Sequence, residues 1–287
     1  MLQPSGPVAG STEHKPDGFA LPVFFAHATR VAAYKQENDD ATFAERRPDG
    51  LILAGLFDGV TLPGRSLRAG HIVGAFVRER LRTALSERDQ EGRPPIIANV
   101  LARAVEDSVN VLDDLGGGAA TTATVVVAAP MRTREWRLYV INAGNSRATA
   151  FLPDGTITPL TRPKPPGTSF AAINTLTAGF RYHREASTMT APSGTTLLFT
   201  SDGIHDNIPD SRVWVTLGRT VESSLIEPSQ ASPVVPRLAR AFVESIVEQA
   251  VRVQERAQRP DDATALAVVL GDPTPAFEPK RQRGANV

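Results

Sequence analysis

The chain has 287 residues, and 31 Lys and Arg residues balance 31 Asp and Glu residues, so its formal net charge at pH 7 is zero. This balance argues against a role dominated by binding to nucleic acid or to a membrane surface. The chain contains no cysteine, which excludes disulfides, thiolate zinc sites and cysteine nucleophiles and is consistent with a reducing compartment.

The distribution of apolar and basic residues along the chain predicts neither a secretory signal nor a membrane span. Residues 1–18 are rich in Pro, Gly and Ser but lack the basic start and apolar centre of a signal peptide. No stretch approaches the roughly 18 apolar residues that a membrane helix needs. We therefore expect a soluble, cytoplasmic monomer with no nucleic-acid or membrane partner.

The predicted elements begin with a flexible tail (1–18) and a strand-like segment (19–33), followed by a polar, acidic loop (35–41). A Pro-Asp-Gly turn then leads into Leu51–Phe57, an apolar run that is typical of a buried strand. The hairpin formed in this way would bring the acidic loop to the end of that strand.

Two amphipathic helices, predicted at about 66–87 and 96–115, suggest an antiparallel pair covering one face of a sheet. The rest of the chain is predicted to form short strands, one further helix and a polar tail. These are strands at 121–129, 136–141, 148–152, 195–200 and 263–270, a helix at 236–253 and the tail 272–287. Because strands and helices occur in runs, we expect a layered α+β fold in a single domain, residues 19–271.

Carboxylates stand at the ends of three apolar runs. Asp58 directly follows one run, Asp202 follows the run at 195–200, and the pair Asp261–Asp262 precedes the last strand. A carboxylate beside a buried strand is costly unless it is paired or binds a metal. Carboxylate oxygens suit hard cations such as Mg²⁺ or Mn²⁺, so these strand ends are candidates for a metal site.

Six short motifs occur in a fixed order along the chain. They are Asn38–Ala41, Phe57–Gly59, Gly118–Ala123, Gly144–Ala148, Thr200–Gly203 and Asp261–Thr264. Together, over about residues 19–271, they resemble the PPM family, the type 2C metal-dependent Ser/Thr protein phosphatases. The resemblance implies two stacked antiparallel β-sheets flanked by antiparallel helix pairs, an αββα sandwich.

The resemblance also implies a site with two Mg²⁺ or Mn²⁺ ions. Asp58 would bridge them, and Asp39 and Asp40 would hold metal-bound water. Near the last strand Asp261 is the favoured ligand, with Asp262 as the alternative. The full set of implied metal ligands is Asp58, Gly59 through its carbonyl oxygen, Asp202 and Asp261.

Three positions depart from the family pattern. Lys35 stands where the family has a phosphate-binding Arg, and Lys offers a point charge instead of a bidentate fork. Val60 replaces a His that could protonate the leaving group. Asn145 replaces an Asp that helps to hold a third ion, so a third ion is not expected.

The resemblance implies hydrolysis of phosphoserine and phosphothreonine in protein substrates, by a hydroxide held between the two ions and without a phosphoenzyme. Lys35, Asp39, Asp40 and Asp58 are the implied catalytic residues. The three departures also leave an alternative: a degenerate PPM domain that binds phosphoproteins, or regulates, without turnover.

Overall fold

The computed structural model describes residues 23–32, 35, 37–60, 68–87, 95–115, 118–162, 176–177, 184–209, 212–213, 215–216, 234–258 and 260–272. The predicted N-terminal tail and all but the first residue of the predicted C-terminal tail lie outside these residues. The same is true of most of the predicted loop at 159–170.

Within the described residues, strands outnumber helices and lie mostly before the last long helix. The strands are β1 (Phe24–Arg30), β2 (Ala41–Arg46), β3 (Ile52–Phe57), β4 (Gly59–Val60), β5 (Ala120–Thr121), β6 (Ala123–Pro130), β7 (Glu135–Ala143), β8 (Arg147–Phe151), β9 (Ile157–Pro159), β10 (Leu176–Thr177), β11 (Arg184–Pro192), β12 (Thr196–Thr200) and β13 (Ala263–Val269). The helices are α1 (Ala69–Ala84), α2 (Ile97–Leu115), α3 (Asp202–His205) and α4 (Val234–Ala257).

The strands form two five-stranded antiparallel sheets and one small sheet. The first sheet has the order β11-β7-β6-β3-β2, and the second has the order β1-β13-β12-β8-β9. The small sheet joins β10, β5 and β4. The α+β fold of two antiparallel sheets with helices outside them is therefore confirmed.

Strand β3 is apolar throughout because both of its faces are buried. Leu53 and Phe57 face helices α1 and α2, whereas Ile52 and Leu56 face the second sheet. Successive side chains of a strand point to opposite faces, so a strand covered on both sides loses the usual polar alternation. The helices contribute to the same core Val73, Val77, Leu81, Leu101, Val105 and Leu112.

A second core lies between the two sheets. Leu197 and Phe199 of β12 pack there with Leu138 of β7 and with Trp136, whose indole Nε1 donates a hydrogen bond to the carbonyl oxygen of Gly271 over 2.8 Å. This bond satisfies the one polar atom of a fully buried tryptophan. It also fixes the chain just after β13, the strand that begins beside the predicted metal ligands.

A third core lies between the second sheet and α4. Phe242 and Ile246 of α4 are fully buried against β13. The residues of β13 on this face are small, which lets the helix approach the sheet closely: Ala263, Ala265 and Ala267. None of the helices in the described part of the chain is long and apolar enough to cross a membrane.

The predicted helices correspond to α1, α2 and α4, and α4 extends a few residues beyond the predicted 236–253 at each end. The sequence pattern did not predict strands β2 and β11, the short strands β4, β9 and β10, or helix α3. Strands β2 and β11 are the two edges of the first sheet, and edge strands carry more polar side chains than central ones. Helix α3 is a single turn, too short to show a helical period.

Candidate functional site

Asp58 lies at the end of β3, where hydroxyl side chains fix its backbone. Its carbonyl oxygen accepts hydrogen bonds from Thr122 N over 2.8 Å and from Thr121 Oγ1 over 3.0 Å, and its own N–H donates to Thr122 Oγ1 over 3.0 Å. The Thr122 hydroxyl lies 2.7 Å from that of buried Ser146. In the sequence these residues stand out only as members of two short motifs. The consecutive threonines are the one local feature that indicates a hydrogen-bonding role.

The hairpin of β2 and β3 brings the acidic loop to Asp58. Its register places Ala41 opposite Phe57, so that Asp40 and Asp58 follow on neighbouring strands at the same end of the sheet. The Asp40 N–H donates to Asn38 Oδ1 over 2.8 Å, which closes the turn into β2. Asp39 and Asp40 are both buried, although acidic loops usually face water.

The absence of side chains on two glycines lets the acidic loop approach Asp58. A Cβ added at Gly59 would lie 2.6 Å from the carbonyl oxygen of Asp39, and one at Gly70, in the first turn of α1, would collide with the same oxygen. His71 adds a contact, with its Nε2 2.9 Å from the carbonyl oxygen of Asn38. The backbone of the loop therefore rests directly on β4 and α1.

Asp202 begins α3, immediately after β12. The backbone of the preceding Ser201 donates to the carbonyl oxygen of Thr264 over 3.0 Å, which ties this strand end to β13. The side chain of Asn145 donates through Nδ2 to Asp202 Oδ2 over 2.8 Å. Asn145 thus holds the carboxylate of Asp202 in one orientation, a role that the sequence alone did not indicate.

A buried glutamine on α4 joins the two strand ends that carry Asp202 and Asp261. Gln254 donates through Nε2 to the carbonyl oxygen of Gly203 over 2.7 Å and accepts through Oε1 from the N–H of Asp261 over 3.3 Å. It is only 3% exposed. Gln254 follows Ala250 by four residues and so lies on the apolar face of the helix. A polar residue at such a position indicates a buried hydrogen bond, which the sequence analysis did not predict.

Burial and neighbouring charges raise the pKa of three carboxyl groups at these strand ends, those of Asp40, Asp58 and Asp261. The pKa of Asp58 lies well above its usual value because of burial and the neighbouring charges of Asp40, Asp202 and Asp261. Burial, with charges that include Asp202, raises the pKa of Asp40 to about 7. Burial and Asp202 raise the pKa of Asp261 to about 6. Carboxylates that repel in this way attract a cation.

Within the described part of the chain, three buried carboxyl oxygens at this place accept no hydrogen bond: both of Asp40 and Oδ2 of Asp58. Buried polar atoms are normally satisfied, so an orphaned set beside a repelling cluster fits a bound cation. Among the described residues, no three His, Asp or Glu side chains are already gathered in a metal-binding arrangement. The cluster is therefore electrostatically suited to a cation but not closed around one.

Lys35 and Asp262 form an ion pair beside the cluster. Lys35 Nζ lies 2.8 Å from Asp262 Oδ2 and 4.0 Å from Asp39 Oδ2. Asp262 also accepts hydrogen bonds from the N–H groups of Ala32, over 2.8 Å, and Asp39, over 3.2 Å. Asp262 is thus engaged with protein donors, whereas the Asp261 carboxyl faces the charge of Asp202.

Val60, at the position of the expected proton donor, is 40% exposed beside Asp58 and offers no titratable group. The turn that follows it, Thr61–Gly64, lies outside the described residues. So do residues 163–175 and 178–183.

A comparison with models of known protein families identifies one family. The sequence model described as Stage II sporulation protein E (SpoIIE) matches residues 64–270, which is more than half of the chain. A search of curated proteins finds no match.

Solved structures of phosphatases share the fold. The catalytic domain of the serine/threonine protein phosphatase PstP, in complex with two manganese ions, is 20% identical, with a TM-score of 0.61 over 87% of this chain and 99% of that one. RsbX in complex with magnesium is 15% identical, with a TM-score of 0.52 over 86% of this chain and 95% of that one. The phosphatase domain of SpoIIE from Bacillus subtilis is 12% identical, with a TM-score of 0.53 over 90% of this chain and 96% of that one. At these identities the likeness concerns the fold.

Proposed function

Because the chain belongs to the SpoIIE family of PPM-type phosphatases, we propose that it is a metal-dependent phosphatase of phosphoserine and phosphothreonine in proteins. One observation supports the proposal: Asp40, Asp58, Asp202 and Asp261 stand at neighbouring strand ends, and burial together with neighbouring charges raises the pKa of Asp40, Asp58 and Asp261. A cluster of this kind is unfavourable without a counter-charge and suits divalent cations.

The residues that would hold two cations are Asp58, the carbonyl oxygen of Gly59, Asp202 and Asp261. Such ions, when bound, lower the pKa of water, orient a phosphate and offset the charge on its oxygens. Manganese in the PstP structure and magnesium in the RsbX structure support Mn²⁺ or Mg²⁺ as the cation.

The chain's own residues orient these ligands and take up protons. The hydroxyl of Thr122 holds the backbone of Asp58, and Asn145 holds the carboxylate of Asp202. The Asp40 carboxyl, with a pKa raised to about 7, keeps a proton near neutral pH when no cation is present. Cation binding must displace such protons, so cation affinity increases with pH.

The proposal is tested by Mn²⁺-dependent hydrolysis of a phosphothreonine peptide. We expect activity that EDTA abolishes and that Asp58→Asn lowers by at least about 100-fold, since the central ligand is lost. Asp154→Asn is the matched control, because Asp154 lies in an exposed turn and accepts a hydrogen bond from the neighbouring Thr156 N. Activity that persists in EDTA or in the Asp58→Asn variant would contradict the proposal.

A second candidate function is phosphopeptide binding without turnover. It is supported by the absence of a gathered metal-binding group among the described residues and by the engagement of Lys35 with Asp262. Calorimetry with a phosphothreonine peptide in saturating Mn²⁺ separates the two candidates. Tight binding together with no release of phosphate would favour the binding function over the phosphatase.

A further inference from the structure

The buried carboxylate of Asp262 gathers donors from one short segment of the chain. Its two oxygens accept from the N–H of Ala32, the N–H of Asp39 and the ammonium of Lys35, at 2.8, 3.2 and 2.8 Å. These three residues lie between β1 and β2 and are more than 220 positions away from Asp262 in sequence. One side chain near the start of β13 therefore holds three described residues of the connection that leads into β2.

The ion pair is shielded from water, which makes each partner depend on the other. The side chain of Lys35 is 9% exposed and that of Asp262 is 2% exposed. A buried charge that loses its partner is strongly destabilised, whereas removal of both charges is tolerated far better. The pair therefore acts as a unit, and its two members are expected to be energetically coupled.

The position of the acidic loop determines where Asp40 meets Asp58. The carbonyl oxygen of Asp39 rests against Gly59 and Gly70, and the next residue, Asp40, leads into β2 beside the end of β3. A shift of the loop away from Asp262 would move the carboxyl of Asp40 with it. The contacts of Asp262 thus reach the cluster through the backbone of the acidic loop.

We propose that Lys35 and Asp262 are a positioning pair that holds the acidic loop in place for cation binding; the link to cation binding rests on the phosphatase proposed above. The ammonium group of Lys35 forms ion pairs with Asp262 and Asp39 within the protein. Lys35 is therefore a positioning residue and not a phosphate-binding one. Asp262 presents both oxygens to this segment, so it is not a metal ligand and Asp261 takes that role.

The first test measures the loop without any metal. In EDTA, hydrogen exchange at residues 37–43 is compared for the wild type, Lys35→Met, Asp262→Asn and the double variant. We expect each single variant to exchange at least about 10-fold faster there, because the N–H of Asp39 loses a fixed acceptor. Arg80→Met, which breaks the exposed pair with Asp107, is the control and should match the wild type.

The second test measures cation binding by calorimetry with Mn²⁺, alongside kcat and KM for a phosphothreonine peptide. We expect each single variant to bind Mn²⁺ about 10–100-fold more weakly. KM for the peptide should stay within about twofold of the wild type. The double variant should be no weaker than the weaker single variant, because the pair acts as a unit. Lys35→Arg, which keeps the charge, should restore most of the affinity.

The outcomes separate this inference from the proposed function. A wild type that binds no Mn²⁺ and hydrolyses no peptide overturns the phosphatase, while the exchange experiment still decides whether the pair holds the loop. If Lys35→Met leaves both exchange and Mn²⁺ affinity unchanged and raises KM, Lys35 binds phosphate and the inference is wrong. Additive losses in the double variant would equally overturn it, because they would show two independent roles.

Discussion

At the scale of single residues, neutral polar side chains orient the carboxylates of the cluster. Asn145 donates to Asp202 Oδ2, and Thr122 accepts from the backbone of Asp58 while lying against Ser146. Such partners fix the geometry of metal ligands without adding charge to them. These neutral partners therefore leave the negative charge of the cluster unchanged.

Asn145→Asp tests this arrangement. A carboxylate cannot donate to Asp202, so the orienting hydrogen bond becomes a repulsion between like charges. We expect the metal-free variant to melt several degrees below the wild type at pH 8. Saturating Mn²⁺ should then raise its melting temperature more than it raises that of the wild type, because the added charge attracts the cation.

Asn145→Ala is the comparison variant, since it removes the donor and adds no charge. We expect it to weaken Mn²⁺ binding by about 10-fold in calorimetry, through the loss of orientation alone. If Asn145→Asp and Asn145→Ala respond identically to Mn²⁺, the charge at this position has no influence on the site.

At the scale of elements, helix α4 has two functions. Its apolar face, with Phe242 and Ile246, covers the second sheet. One turn beyond Ala250, Gln254 replaces the next apolar residue of that face and bridges Gly203 to Asp261. The helix thus ties together the two strand ends that supply Asp202 and Asp261.

Gln254→Leu should separate these two functions. Leucine fills a similar volume, but it leaves the N–H of Asp261 without its acceptor. It also removes one of the two hydrogen bonds to the buried carbonyl oxygen of Gly203, which keeps the bond from Asn207 Nδ2 over 2.9 Å. We expect a loss of about 1–3 kcal/mol in the free energy of unfolding and about 10-fold weaker Mn²⁺ binding. Denaturant unfolding and calorimetry measure the two effects.

Gln249→Leu is the matched control on the same helix. Gln249 is half-buried and bonds to Ser245 and Thr216, away from the strand ends. We expect it to leave Mn²⁺ affinity unchanged. Equal losses of Mn²⁺ affinity in both variants would mean that α4 acts only through general stability.

The elements that the sequence predicts well are those whose burial leaves a one-dimensional pattern. Strand β3 reads as a continuous apolar run because both its faces are covered, and α1 and α2 read as amphipathic helices because each has one covered face. Strand β11 is an edge strand whose described side chains are mostly exposed or half-buried, so its sequence resembles a loop.

The site divides in the same way. The carboxylates can be found from sequence because each interrupts the end of an apolar run, as Asp58 and Asp202 do. Their supporting partners cannot be found so easily, since a bond such as Gln254 to Gly203 spans 51 positions and leaves no local pattern. The pairing of Lys35 with Asp262, 227 positions apart, depends likewise on the tertiary fold.

At the scale of the whole molecule, the two sheets bring carboxylates from distant segments to one place, and the fold bears the cost of their repulsion. The first sheet supplies Asp58 and, through the hairpin, Asp40. The second sheet supplies Asp202 and Asp261, at the ends of adjoining strands β12 and β13. The free energy of unfolding of the metal-free protein should therefore decrease as pH increases, whereas bound cations should increase it.

The metal-free protein should lose stability as pH increases from about 4 to 7. The pKa of Asp40 is raised from 3.8 to about 7 and that of Asp261 to about 6, so over this range the folded protein keeps protons that the unfolded chain has released. Folding is then favoured at the lower pH, and the stabilisation is lost as pH passes through the folded-state pKa values. Each unit by which the pKa of a carboxyl group is raised contributes about 1.4 kcal/mol, so the expected loss is several kcal/mol. Chemical denaturation in EDTA at pH 5 and pH 8 measures it.

Asp40→Asn removes the group with the pKa of about 7 and should flatten this dependence, whereas Asp154→Asn should not, because hydrogen bonds from Thr156 lower the pKa of that exposed carboxyl. Saturating Mn²⁺ should reverse the trend, since cations bind the deprotonated carboxylates that dominate at pH 8. Metal-free protein that is more stable at pH 8 than at pH 5 would contradict the prediction. It would mean that the carboxyl groups of the cluster are already charged and compensated within the fold, and that the site has no need of a cation.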